Sequence, residues 1–258
     1  MAFRSFFRPV PRLRVLVGMA ARLAVIAVVF MASASAVRAD PAKGFHEQAQ
    51  AAFSHYRQAV FYARRGAPDV ALLELDNFID AWSEVAKRFE GAPPPPYAGE
   101  KAWRDTFGDI ARRAGEARKL AEAGDAKAVG AALAPLRTML SQMRRRNGIY
   151  LFADCILDAN KAFRDLYKFR HDPPKFTNEA ETKALQTALA GSIKAYEKCR
   201  DTAPAEVAAD AQFSRLIADS LHFLDRMKIA IKEKNQLNVI NILRRVVSSD
   251  DILWLRFG

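Results

Sequence analysis

Apolar residues recur three and four positions apart along most of this chain, the spacing that gathers them on one face of an α-helix and buries it. Strictly alternating β-branched runs are missing, so helices are expected to supply nearly all regular structure. Eight are predicted. The first, from about Gly44 to Arg65, carries Ala49, Ala52, Phe53, Tyr56, Ala59, Val60 and Ala63 on one stripe. Gly66-Ala67-Pro68-Asp69 then turns the chain into a second helix with Leu72, Leu75, Ile79, Trp82, Ala86 and Phe89. The prolines Pro93 to Pro96 read as a stiff extended crossover, which is favoured over a proline-rich recognition motif because the run is short and sits between packed helices.

A third helix starts near Glu100 with Trp103 and Phe107 and stops at Gly124-Asp125, where Gly suits the end of one helix and Asp caps the next. The fourth presents Val129, Leu133, Leu136, Leu140 and Met143, with a kink expected at Pro135. Phe152, Ile156, Ala159, Phe163 and Leu166 mark the fifth, and Leu185, Leu189, Ser192 and Tyr196 the sixth. Phe213, Ile217, Leu224, Met227 and Ile231 mark the seventh, and Val239, Leu243 and Val246 the eighth. The closing segment Ile252 to Gly258 is too apolar for a free tail and is expected to dock on the body.

An offset of 110 residues aligns Trp103 with Phe213, Phe107 with Ile217, Asp109 with Asp219, Asp125 with Asn235, Val129 with Val239 and Leu133 with Leu243. The expectation is an all-α fold of two tandem four-helix units, residues 40–149 and 150–258, related by an internal repeat.

Residues 1–39 read as a secretory signal peptide. Arg4, Arg8, Arg12, Arg14 and Arg22 form a basic leader, Leu23 to Phe30 an apolar run too short to span a bilayer, and cleavage is expected after Ala39 or Ala36. With Arg38, this segment holds six arginines and no acid, so its removal takes the formal charge from +11 to +5. The remaining cations are interspersed with acids, so nucleic acid is not an expected partner, and no stable membrane span is expected after cleavage. The densest basic cluster, Arg144-Arg145-Arg146, reads as a solvated helix end rather than an anion site. The mature protein is expected in the periplasm.

That compartment is oxidising, and both cysteines lie in the mature part. Cys155 opens the fifth helix and Cys199 closes the sixth, nearly symmetric about the Pro173-Pro174 turn, so a disulfide across an antiparallel hairpin is expected. Two buried free thiols and a redox or metal role are the alternatives. Asp154 and Asp158, one turn apart beside Cys155, read as a cap and a helix-dipole partner before they read as a shared proton or cation site.

Of four histidines, His55 and His222 fall off the apolar stripes and His171 sits in a loop, whereas His46 lies seven before Phe53 and fourteen before Val60 and is placed on the buried face. The segment from Trp103 through Phe107, Gly124-Asp125, Val129 and Leu133 resembles the last two helices of cytochromes of the c-prime type. The resemblance covers about a quarter of the chain and implies a four-helix bundle. Where that family carries Cys-x-x-Cys-His for covalent haem, this chain reads Leu140-Ser141-Gln142-Met143-Arg144. The one route left to non-covalent haem or copper is His46 with Met143, which an up-down-up-down bundle would bring to the same pole. No catalytic constellation or nucleotide fingerprint stands in the sequence. The functional expectation is therefore a non-enzymatic periplasmic bundle without a cofactor, binding a partner protein or small ligand through its surface. A haem- or metal-binding electron-transfer bundle is the alternative, and a helical-repeat scaffold is a further one.

Overall fold

The computed structural model describes residues 41–258, so the expectations for a leader and its cleavage lie outside the described residues. The eight long helices are α1 (Pro41–Arg64), α2 (Pro68–Phe89), α3 (Trp103–Glu122), α4 (Ala126–Arg146), α5 (Phe152–Tyr167), α6 (Glu179–Asp201), α7 (Ala211–Lys232) and α8 (Gln236–Phe257). A single helical turn, Ala205–Ala208, and the 3-10 turns Pro95–Tyr97 and Lys168–Arg170 complete the regular structure, and no strand occurs among the described residues.

Side chains mark where four of the helices begin. Asn178 and Asp210 each accept two main-chain N–H bonds at the starts of α6 and α7, and Asp125 and Asn235 do the same with one bond each for α4 and α8. The turns before α4 and α8 share one geometry. Gly124 (φ 76°) and Lys234 (φ 54°) both take the left-handed conformation, while the next residue's N–H reaches back to Leu120 or Ala230. These equivalent positions stand 110 residues apart.

Helices α1 to α4 pack in a ring, each against the next and α4 back against α1, and α5 to α8 form a second such ring. Helix α8 also packs on α1 across the two rings, and one hydrophobic cluster runs through residues 41–258. In α1 the buried residues Ala42, Phe45, Ala49, Ala52, Tyr56, Ala59 and Ala63 alternate in steps of three and four, and the alanines let its neighbours approach closely. Burying each large side chain, such as Trp82, Phe78 or Leu75, contributes roughly 1.5–3 kcal/mol.

The predicted core of α4, namely Val129, Leu133, Leu136, Leu140 and Met143, is buried throughout, and the helix runs on through Pro135. The face of α2 is turned by about one residue from the expected stripe. Ala71, Leu75, Phe78, Trp82, Val85 and Phe89 are buried, while Leu72, Ile79 and Ala86 flank them. The proline run is not extended throughout: Pro95–Tyr97 closes a 3-10 turn that inserts Tyr97 into the core. The apolar end of the chain docks as expected, as the last turns of α8, with Leu253 and Trp254 buried.

Candidate functional site

Four helices meet where the rings join, α1 and α4 from one and α5 and α8 from the other, and each brings charge to the junction. In the cluster Arg144-Arg145-Arg146 the last two side chains are exposed at the helix end, as expected, but the first is not. Arg144 is buried and donates Nε to Asp154 Oδ2 at 2.9 Å and Nη2 to Asp154 Oδ1; Arg145 pairs with Asp158 at 2.8 Å and Arg146 with Glu100 at 3.1 Å. The turn at Asn147-Gly148 folds α5 back beside α4, which delivers Asp154 and Asp158 to Arg144 and Arg145, while Glu100 comes from the segment before α3. Asp154 also accepts the Leu151 N–H at 2.9 Å, so it caps α5 as expected while holding a cation. Burial pushes the Asp154 carboxyl up, but Arg144 and the hydrogen bonds outweigh burial and leave it below the usual carboxylate range.

Deeper in the junction lies a fully buried carboxyl, Asp250 of α8. It accepts from Tyr196 Oη at 2.7 Å and from Asn160 Nδ2 at 2.5 Å, with Arg164 Nη2 at 3.4 Å. Burial, opposed chiefly by Arg164, raises it to about 6. Arg164 also pairs with Asp251, to which Arg64 lies at 3.6 Å.

The remaining two cations are placed differently. Arg57 is buried and donates to main-chain oxygens only, Leu255 O at 2.9 Å and Gly258 O. Arg137 donates to the neutral amide oxygen of Asn160 at 3.2 Å and lies over the Trp254 ring at 4.9 Å. Among the described residues neither guanidinium is in ion-pair range of an Asp or Glu carboxylate. Burial pulls both down to about 10, still cationic at neutral pH. Together they line a cavity of about 30 Å3, open to solvent, with Phe53, Tyr56 and Trp254 as aromatic walls and Gly258, the acceptor of Arg57, on its surface.

Cys155 and Cys199 form the expected disulfide, which ties α5 to α6 with Cα atoms 5.6 Å apart. Met143 is buried at the end of α4, in the core. His46 is half-buried, and the position expected for it on the buried face belongs to Phe45. The reason is geometric: His46 sits on the flanking line of Phe53 and Val60, and at the start of α1 that line has reached the rim of the bundle. The His46 ring packs 5.8 Å from Tyr97, while Phe45 contacts Phe89, Tyr97, Trp103 and Phe107 with ring centroids 5.0–6.1 Å away. No group of three or more His, Cys, Asp or Glu that could hold a metal occurs among the described residues, and none of their helices is long and apolar enough to cross a membrane. His55 bonds to Glu74 at 2.8 Å, and His171 and His222 are exposed, as expected of a loop residue and of one off its stripe.

Sequence reasoning missed Arg57, Arg137 and Asp250. For Asp250 a signal exists: it falls on the apolar stripe between Val246 and Leu253, at the position where the 110-residue offset puts Leu140 in the other ring. No family model, curated protein or solved structure matches this chain.

Proposed function

We propose that this chain is an exported periplasmic protein of non-enzymatic type that works by binding a small ligand or partner, engaged at the surface where the two rings join. The observation that carries this reading is the solvent-open cavity at the junction, on whose wall Arg137 meets only a neutral amide oxygen and the Trp254 ring. The basic leader and the small residues at Ala36 and Ala39 support export, and the Cys155–Cys199 bridge supports an oxidising compartment. The shared turn geometry at Gly124 and Lys234 supports an internal duplication. Aromatic packing around Phe45, which fills the pole where His46 and Met143 would have to meet, supports an interior without haem or copper. The test is a thermal-shift screen of the purified protein against a broad metabolite library. Stabilisation by at least one compound class is expected; turnover on hydrolase or redox substrate panels would contradict the reading.

A further inference from the structure

The outer face of the α7–α8 hairpin carries charge and apolar surface that the fold does not use. Between the two helices runs a solvent-open groove of about 480 Å3, lined by His222, Phe223 and Arg226 from α7 and by Asn241, Ile242 and Arg245 from α8. No Asp or Glu lines it. Among the described residues Arg226 and Arg245 make no hydrogen bond or ion pair, and Arg245 lies over the Phe223 ring at 5.5 Å. Residues 222–245 hold six cations against two acids, Asp225 and Glu233, a net +4 where residues 40–258 carry +5 in all, so the excess charge is concentrated here rather than interspersed with acids. One of the two acids, Asp225, is taken by Lys228 at 2.7 Å.

Apolar side chains stand beside these cations. Ile229, 55% exposed, follows Arg226 by three positions on α7, and Leu237, 66% exposed, precedes Asn241 by four on α8, so each shares the groove side of its helix at the end where the hairpin turns. Large apolar residues scattered singly on a surface are ordinary; one from each helix at the same tip, beside unpaired cations, marks a contact surface. The equivalent hairpin α3–α4 shows that folding does not require such a face. At the 110-residue offset Ile229 and Leu237 correspond to Lys119 and Lys127, Arg226 to Glu116, and Asn241 and Arg245 to Ala131 and Pro135. Charge on that hairpin closes within the helix, with Arg112 held by Asp109 at 3.1 Å and by Glu116 at 2.8 Å.

One kind of partner satisfies both features together. In a bilayer with anionic headgroups, guanidinium and ammonium groups meet phosphate oxygens while neighbouring apolar side chains leave water for the boundary between headgroups and acyl chains. A soluble anion would answer the arginines alone and leave Ile229 and Leu237 in water. We infer that the α7–α8 hairpin docks this protein on an anionic phospholipid surface, with Arg226 and Arg245 on lipid phosphates and Ile229 and Leu237 inserted at the interface. Docking of this kind is peripheral and needs no spanning helix. The groove shares no residue with the junction cavity, so the outcome leaves the binding function proposed above as it stands.

The experiment is co-sedimentation of the purified protein with vesicles, one set of phosphatidylcholine alone and one containing about one-third phosphatidylglycerol. Binding is expected to the anionic vesicles and not to the neutral ones, and it is expected to weaken as salt screens the charges. Arg226→Glu with Arg245→Glu, and separately Ile229→Ser with Leu237→Ser, are each expected to weaken it by about tenfold or more. Lys119→Glu with Lys127→Glu changes the net charge as much on the equivalent face of the first ring, and is expected to leave binding within about twofold. All six side chains are exposed, so the variants spare the core, and circular dichroism checks that each keeps its helix content. Equal binding to neutral vesicles, no vesicle binding, an equal loss in the Lys119/Lys127 variant, or undiminished binding in either of the other two overturns the inference. Inorganic phosphate or polyglutamate bound as tightly as the anionic lipid would overturn it too, by assigning the groove to a soluble anion.

Discussion

Arg144 at the end of α4 and Asp154 at the start of α5 form a buried, two-pronged ion pair across the hinge that joins the two rings. Each is stranded without the other. Asp154→Ala should therefore cost about 3–5 kcal/mol of unfolding free energy, because an unpaired guanidinium stays buried. Urea unfolding followed by circular dichroism reads the loss. The double change Arg144→Met with Asp154→Leu, which removes both charges, should recover most of it. A single-variant loss below about 1 kcal/mol would place this pair among ordinary surface bridges.

Asp250 gives the stability a pH dependence of definite sign. Burial raises its carboxyl to about 6, so between about pH 4 and pH 6 the folded protein keeps a proton that the unfolded chain has released. Its contribution is fully present below that window and is lost as pH rises through it, by on the order of 3 kcal/mol. Asp154 acts in the opposite sense: its carboxyl is held low, so its contribution is lost only as pH falls below about 4. Asp250→Asn should flatten the slope of stability between pH 4 and 6. An unchanged slope in unfolding curves at several pH values would show that Asp250 does not set it.

The Cys155–Cys199 bridge restrains the unfolded chain across 44 positions. Reduction, or a Cys155→Ala, Cys199→Ala double variant, should cost roughly 3–4 kcal/mol in the chain-entropy model. That corresponds to a fall in Tm of roughly 10 °C at this size. Scanning calorimetry of oxidised and reduced protein gives the comparison, and coincident transitions would mean that the bridge is thermodynamically idle.

Lys234 occupies the left-handed position that Gly124 fills in the equivalent turn. A side chain there costs about 1 kcal/mol that glycine avoids. Lys234→Gly is expected to raise stability by about 0.5–1 kcal/mol, and Gly124→Lys to lower it by a similar amount. Chemical denaturation of both variants tests the pair.

The helices and their buried faces were legible because each stripe repeats over several turns. Val129 to Met143 in α4 and Phe213 to Ile231 in α7 leave one way to face a core. Cys155 and Cys199 were legible as a pair because the Pro173-Pro174 turn lies near their midpoint. The junction was not. Arg57, Arg137 and Arg144 look like any cation on a helix until α5 and α8 are laid beside α1 and α4, and that arrangement is tertiary. His46 was misplaced for a related reason: a heptad relation to Phe53 fixes the line on which a residue lies, but not where along the helix that line leaves the core. Asp250 could have been read, since a carboxylate on an apolar stripe demands partners, and the structure supplies Tyr196, Asn160 and Arg164.

The most direct test is native mass spectrometry on protein purified gently from its own cells, with the absorbance spectrum of the same sample. The expected species is a colourless chain beginning at Asp40 or Val37, two hydrogens lighter than the reduced form, alone or with a small bound ligand. A haem-sized or copper adduct, with absorbance in the Soret or visible region, would contradict an interior filled by Phe45, Trp103 and their neighbours.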